Sequence, residues 1–454
     1  MPTNGPSMQR EVELFLKAYP SVSMIEALIT DCNGVARGKW IPRTKILSVL
    51  ETGLKLPKSA LNLDVWGRDV PELAFTSGDV DGWCKAVKGS LTPVQTERGI
   101  DHGQLIMTMY KDDDSPFMGD PRQVLAEVVK RFEAKSLRPC VAAELEFNLF
   151  PDPGRDQPMS KALNGRRQLG GNLYALDELD RHHEMLEVLR EYFAVQNLPF
   201  EGIIKEAAPN QYEVNMAHNN NALELADQVV RMQRGIRTVA QRFGLIASFM
   251  PKPMSDAAGN GMHVHCSLLE ENGANVFNDG SDEGSELLRY AVGGSLALMA
   301  DAMLIFAPSF NAYRRFQSGN HAPTFPAWGY DNRTTALRIP AGPPAAKRIE
   351  HRVAGADTNP YLAIAAVLAG VLHGIEQRIQ PPSAVEGNAY EQEPDSAGLP
   401  TLMGAAIDRF QKSEIIAQQL STDFQHMFAL SKRQELEEFG RQITELEYDS
   451  YLRG

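Results

Sequence analysis

Apolar positions along this chain change their period several times. Over residues 8–20, Val12, Leu14, Phe15, Leu16 and Tyr19 fall on one side of a short amphipathic helix. Between residues 23 and 113 the pattern breaks into short apolar runs separated by turn residues, which predicts a small mixed unit with a few strands. Residues 111–116 are polar and read as a connection, and Pro121 suits the first turn of a helix over residues 121–135. Beyond Val141, strands and helices alternate. Helices are expected over residues 177–193 and 222–243, the latter presenting Leu223, Leu225, Val229, Val230, Met232 and Ile236 to a core. A further helix opens at Asn359, which can cap it, and Pro360, at its first position. The segment after Ser413 is mostly helical.

Four strand-like segments put polar chemistry on one face and apolar packing on the other. In residues 261–267, His263, His265 and Ser267 alternate with Met262, Val264 and Cys266. In residues 141–150, Glu144, Glu146 and Asn148 oppose Leu145, Phe147 and Leu149; taken alone this face suits solvent equally well. Gln211, Glu213 and Asn215 alternate with Tyr212, Val214 and Met216, a few residues after Glu206. Arg348, Glu350 and Arg352 share a face opposite Ile349, His351 and Val353, with Arg333 and Arg338 just upstream. Taken together, five carboxylates with one or two histidines suit two hard divalent cations, Mg²⁺ or Mn²⁺. The arginines suit phosphate or carboxylate. Such a set clamps a polyphosphate for in-line phosphoryl transfer, and it does so without a Walker A loop or a kinase-type glycine-rich loop.

Composition narrows the class. A length of 454 residues suggests two or more domains, and a net charge of −13 argues against a nucleic-acid partner. The 4 cysteines form no C-x-x-C pair, which fits a reducing compartment. The first residues lack the basic and apolar regions of a secretory signal. The apolar stretches at residues 291–308 and 361–372 read as buried helices, the first interrupted by Asp301 and the second too short to span a bilayer, so no membrane association is expected. A cytoplasmic location is expected.

The ordered motifs resemble those of the type I glutamine synthetases and their amine-ligase relatives, from about Ser23 to the C-terminal segment. They are Glu144 with Glu146, Lys205 and Glu206 through Glu213, the Gly261 to His265 segment, Asn311 to Arg315, Asn332 and Arg333 through Pro340, and Arg348 to Arg352. The resemblance implies an α+β fold: an N-terminal helix over residues 1–20, a small β-grasp domain over 21–115, and a catalytic domain over 116–454 with a curved antiparallel sheet and helices. It implies one metal on Glu146, Glu206 and Glu213 and another on Glu144, His263 and Glu350. ATP would meet Glu201, His265, Ser267, Arg338 and Arg348. L-Glutamate would meet Gly259, Arg315 and Arg352, and Arg333 would handle the transferring phosphoryl group. The implied chemistry is phosphorylation of the glutamate γ-carboxylate, then attack of nitrogen on γ-glutamyl phosphate. The implied assembly is a homododecamer of two hexameric rings.

Departures from the family pattern gather around the nitrogen nucleophile. Glutamine synthetases carry an Asp-Gly-Ser-Ser segment that helps bind and deprotonate ammonium; here the corresponding stretch, residues 56–67, has Pro57 at the aspartate position. The flap glutamate before an Ala-Pro pair is His321, which could accept a proton from an incoming amine or simply close the site. Ala258 and Ala345 replace an asparagine and a lysine of some relatives. The pattern is closest to the γ-glutamylpolyamine synthetases, with a primary amine such as putrescine or spermidine as co-substrate. An ammonia-using glutamine synthetase with an atypical ammonium site, and a non-catalytic descendant of the fold, are the alternatives. Trp66 and Asp64 are candidates for an amine pocket, and Tyr390 reads as a surface-loop tyrosine that is not adenylylated.

Overall fold

The computed structural model describes residues 7–75, 78–154, 172–316, 322–391 and 398–453. His321 therefore lies outside the described residues.

Two sheets organise the chain. The first has six strands, β1 (Met24–Thr30), β2 (Ala36–Pro42), β3 (Leu54–Pro57), β4 (Asp81–Ala86), β5 (Thr92–Thr96) and β6 (Gly99–Tyr110), in the order β2-β1-β6-β4-β3 with β5 also on β6. β1 and β6 run parallel at its centre. The helix Met8–Ala18 packs Val12 and Phe15 into the core of this sheet, with Ser7 capping its first turn.

The second sheet has eight strands: β7 (Leu137–Pro151), β8 (Phe200–Lys205), β9 (Gln211–Met216), β10 (Leu245–Ser248), β11 (Met262–Glu270), β12 (Trp328–Tyr330), β13 (Leu337–Ile339) and β14 (Ile349–His351). Their order is β12-β13-β14-β11-β7-β9-β8, with β10 on β7, and only the β12–β13 pair is parallel. One face is apolar: Val141, Ala143, Leu145, Phe147, Tyr212, Val214, Met262 and Val264 lie in the main core with the helices Pro121–Glu133 and Ala222–Arg242. The chain is thus an α+β protein, as the family resemblance implies.

Two expected helices are interrupted. The 177–193 segment is two helices, Leu176–Asp180 and His183–Val195, because the polar run at Arg181 and His182 breaks the apolar periodicity. The 291–308 stretch is likewise divided into Glu286–Met299 and Met303–Phe306. Asp301, between them, accepts from Arg409 Nε at 2.6 Å and Ser413 Oγ at 2.6 Å, so its charge is used at a break rather than buried in a helix. The helix Pro360–Gln377 is long and apolar enough to cross a membrane, yet 78% of it is buried within the fold. It presses against Glu286–Met299 so closely that a Cβ at Gly294 would sit 2.2 Å from Gly374 N.

Candidate functional site

Strand register builds the site. Pairing sets Glu144 opposite His263, Glu146 opposite Glu213, and His265 opposite Glu350, which in turn lies opposite Arg338. Since side chains alternate along each strand, one polar band runs across β13, β14, β11, β7 and β9. Glu206 follows β8 and joins the band, at a turn held by the buried Lys205, whose Nζ donates to Glu206 O at 2.6 Å and Ala208 O at 2.7 Å.

Glu144 sits at the centre. Its Oε2 is 2.9 Å from His263 Nδ1 and its Oε1 is 3.0 Å from His265 Nε2. Arg348 Nε donates to His265 Nδ1 at 3.3 Å, so the proton of a neutral His265 lies on Nε2, toward Glu144. Burial opposes ionisation of Glu144, but the bonds from His263 and His265 outweigh it and hold its carboxyl far below the ordinary range. Glu213 goes the other way, pushed up to about 9 first by burial and then by the charges of Glu144, Glu146 and Glu206. Burial and Glu146 raise Glu206 as well. Glu144, Glu146, Glu206 and Glu213 therefore crowd one region, and the two histidines compensate chiefly Glu144; such a set of oxygen donors suits a hard divalent cation.

The structure brings ligand atoms together in two groups, Glu144 with Glu213 and His263, and Glu144 with His265 and Glu350. Glu144 thus belongs to both, a sharing that the one-to-one assignment from sequence does not contain. Glu350 is fully enclosed and binds two arginines: Arg338 Nη1 donates to its Oε2 at 2.8 Å, and Arg352 Nη1 to its Oε1. Arg338 also reaches Asp331. Arg352 Nε is buried without a partner.

A cleft of about 1010 Å³ opens beside this band, lined among others by Glu201, His265, Ser267 and Arg348. Those four are the cleft residues that the family resemblance assigns to ATP; Cys140, Asn215 and His218, to which it assigns no role, also form the wall. On the other side, Gly259, Arg315 and Gly261 converge. A Cβ on Gly259 would lie 2.3 Å from Pro251 O and 2.9 Å from Arg315 Cγ, so only glycine fits. Arg315 is buried and donates to Val353 O at 3.0 Å. Glu146 Oε2 accepts from Gly261 N at 2.7 Å and from Gln211 Nε2 at 3.3 Å. Gln211 Nε2 also donates to Gly259 O at 2.9 Å and Asn260 Oδ1 at 3.0 Å, and Asn260 Nδ2 bonds Asn148 Oδ1 at 2.8 Å. Asn148 and Gln211 were visible in the strand alternation; Asn260 sits in a loop with no periodic signal. Arg333 lies on the loop between β12 and β13, lining a separate cavity of about 600 Å³.

Asp64 does not join an amine pocket as a free carboxylate. It is fully buried, accepts from Arg68 Nε at 2.7 Å and Gln434 Nε2 at 2.9 Å, and also receives the amides of Trp66 and Arg68. His351 packs against Phe306 with ring centroids 4.4 Å apart, consistent with a core role.

Residues 118–451 match the family "Glutamine synthetase, catalytic domain". Over 99% of its length the chain is 38% identical to gamma-glutamylputrescine synthetase PuuA of Escherichia coli, covering 96% of that protein. It is 33% identical to gamma-glutamylethanolamide synthetase GlnA4 of Streptomyces coelicolor, over 95% of this chain and 93% of that one. The solved GmaS/ADP complex superimposes with a TM-score of 0.85 at 27% identity, over 98% of this chain and 99% of the other. With the sheet, the carboxylate band and these relatives in agreement, the chain belongs to the glutamine synthetase family.

Proposed function

We propose that this protein is an ATP-dependent ligase that joins the γ-carboxylate of L-glutamate to a primary amine, and that the amine is a polyamine such as putrescine or spermidine. The observation that carries the ligase reading is the band of Glu144, Glu146, Glu206, Glu213, His263 and Glu350 between two binding regions. Glu201, His265, Ser267 and Arg348 would hold the nucleotide in the cleft, with Arg338, which is bonded to Glu350 and Asp331 outside the cleft lining, as the fifth contact. Gly259, Arg315 and Arg352 would hold glutamate on the other. Two Mg²⁺ or Mn²⁺ ions held by the six metal-site residues would offset charge on the phosphoryl oxygens when bound.

The chain's own groups orient the reaction. Gln211 and Gly261 fix the Glu146 carboxylate, and Lys205 fixes the Glu206 turn, so the acidic side chains are held before substrates arrive. Arg333 would stabilise the phosphoryl group as it moves to the γ-carboxylate oxygen. The amine then attacks the γ-carbonyl carbon of γ-glutamyl phosphate, phosphate leaves, and the amine gives up a proton, for which His321 is the proposed acceptor.

The choice of an organic amine is supported by residues 56–67. Their only carboxylate, Asp64, is enclosed and fully bonded, and Pro57 ends β3 where the family places its ammonium-binding aspartate. A second reading, an ammonia-using enzyme, is favoured by relatives such as the glutamine synthetase of Pyrococcus horikoshii, 30% identical over 92% of this chain and 90% of that one. Phosphate release from ATP and glutamate with a panel of ammonia, ethanolamine, putrescine, cadaverine, spermidine and spermine separates the two. Putrescine or a longer polyamine should give the highest kcat/KM; equal or better turnover with ammonia overturns the polyamine reading. The proposed homododecamer is checked on the same preparation by mass photometry.

A further inference from the structure

Gly259 and Arg315 come from two separate segments. Gly259 lies in residues 249–261, which join β10 to β11 and fold back on themselves. Asn260 N donates to Pro251 O at 2.8 Å, Asn260 Nδ2 to Met250 O at 2.8 Å, and Lys252 Nζ to Ala257 O. Arg315 ends the short turn Ala312–Arg315, whose first amide, Ala312 N, donates to Ser309 Oγ at 3.2 Å. The stem of Arg315 lies against Gly259, where an added Cβ would stand 2.9 Å from its Cγ and 3.3 Å from its Cδ. That contact sets how closely the two segments approach. It does little to stop them parting, because dispersion between a few atoms is weak.

Asn311 supplies the missing restraint. It directly precedes the Arg315 turn, and its side chain meets both backbone groups of Lys252: Lys252 N donates to Oδ1 at 2.8 Å, and Nδ2 donates to Lys252 O at 3.0 Å. Its own carbonyl accepts from Arg314 N at 3.0 Å, inside the turn. A two-bond clasp of this kind fixes direction as well as distance, as a neighbouring strand does. Lys252 is buried, so its amide and carbonyl have little water to turn to when the clasp is lost. On the far side of Gly259 the loop is tied to the segment after β14, where Ala356 N donates to Asn260 O at 3.1 Å. Arg315 is fixed at its tip by Val353 O of that same segment. The Asn311 clasp closes the ring between the loop and the arginine turn.

We propose that Asn311 is a positioning residue for glutamate: its clasp on Lys252 holds the Gly259 loop and the Arg315 turn at one separation, so that one substrate molecule meets both. This rests on the glutamate-ligase reading above. Both polar atoms of the Asn311 side chain are engaged by Lys252, so it acts through the backbone and not on the substrate.

The test is steady-state kinetics of Asn311→Ala and Asn311→Asp in the full chain, with glutamate, ATP and the amine varied in turn, plus calorimetric titration of glutamate in the absence of amine. Asn311→Ala removes both bonds and should raise the glutamate KM and Kd about tenfold, with the ATP KM within about twofold of the parent. Asn311→Asp keeps the acceptor for Lys252 N and loses the donor, and should raise both glutamate constants about threefold. Asn275→Ala is the comparison. It removes a similar clasp in the wall of the nucleotide cleft, from Asn275 Nδ2 to Ala345 O at 3.1 Å and Lys347 O at 2.8 Å. It should leave the glutamate KM within about twofold of the parent. The positioning role is wrong if the parent turns over and Asn311→Ala leaves the glutamate KM and Kd unchanged, or raises the glutamate and ATP KM alike. It is equally wrong if Asn275→Ala raises the glutamate KM as much as Asn311→Ala does. If the parent shows no glutamate-dependent phosphate release with any amine, it is the ligase reading that fails. Matching circular dichroism melts for parent and variants guard against a folding defect, and Asn311→Asp decides the question if the alanine variant does not fold.

Discussion

Glu213→Gln probes the crowding of carboxylates directly. In the metal-free fold the Glu213 carboxyl is pushed up to about 9, against an ordinary 4.5. A carboxyl raised by folding costs nothing below its unfolded value. The cost then grows as pH climbs toward the folded value, because the unfolded chain releases its proton first. Each unit of that interval is worth about 1.4 kcal/mol, so near neutral pH the native carboxyl costs roughly 3 kcal/mol. Glutamine keeps the shape and removes the charge. In EDTA at about pH 8 the variant should therefore melt several degrees above the parent, and near about pH 5 this advantage should be largely gone. With saturating Mg²⁺ or Mn²⁺ the order should reverse, since the parent gains a bound cation that the variant holds poorly. Thermal melts at both pH values, with and without metal, read all of this. A variant that is less stable than the parent in EDTA at about pH 8, or equally shifted at both pH values, would refute the crowding argument. A variant that keeps the whole metal-induced shift would remove Glu213 from the metal site.

Two further predictions concern the frame around the site. Gly259→Ala should cost about 1–3 kcal/mol through overpacking against Pro251 O and Arg315, and should raise the glutamate KM while leaving the ATP KM within about twofold, as initial-rate kinetics will show. Lys432→Met strands the buried Glu435, whose two oxygens each lie 3.1 Å from Lys432 Nζ; it should cost about 3–5 kcal/mol in denaturant melts, and a second change, Glu435→Leu, should return much of that.

Much of the site could be read from the chain because strands translate a period of two directly into a shared face. Glu144, Glu146, Glu213, His263, His265 and Glu350 were all found that way, and pairing register only had to set them side by side. The helices Met8–Ala18, Pro121–Glu133 and Ala222–Arg242 were likewise legible from their apolar spacing. What escaped depends on contacts between distant segments. The sharing of Glu144 between two clusters follows from rotamers, not spacing. Asn260 acts through Gln211 and Asn148, 49 and 112 residues away in sequence. The interruption at Asp301 is set by Arg409 and Ser413, which no local window contains. Asp64 looks like an available carboxylate in the sequence and is sealed by Gln434 in the fold.

That last contact belongs to a seam between the two ends of the chain. Lys432 Nζ donates to Asn33 Oδ1, Ser431 Oγ donates to Leu63 O at 3.2 Å, and Glu435 Oε1 accepts from Val65 N at 2.9 Å. The residues joined are 399, 368 and 370 positions apart. During synthesis the segment around residues 62–68 therefore leaves the ribosome long before the groups that satisfy it exist. It must wait, with Asp64 lacking its Gln434 partner, until the helix Thr422–Arg441 has been made and docked. The stretch that departs most from the ammonium-binding pattern is thus among the last parts of the molecule able to settle, and a nascent chain stopped short of residue 431 would carry the catalytic strands while this loop remained unfinished.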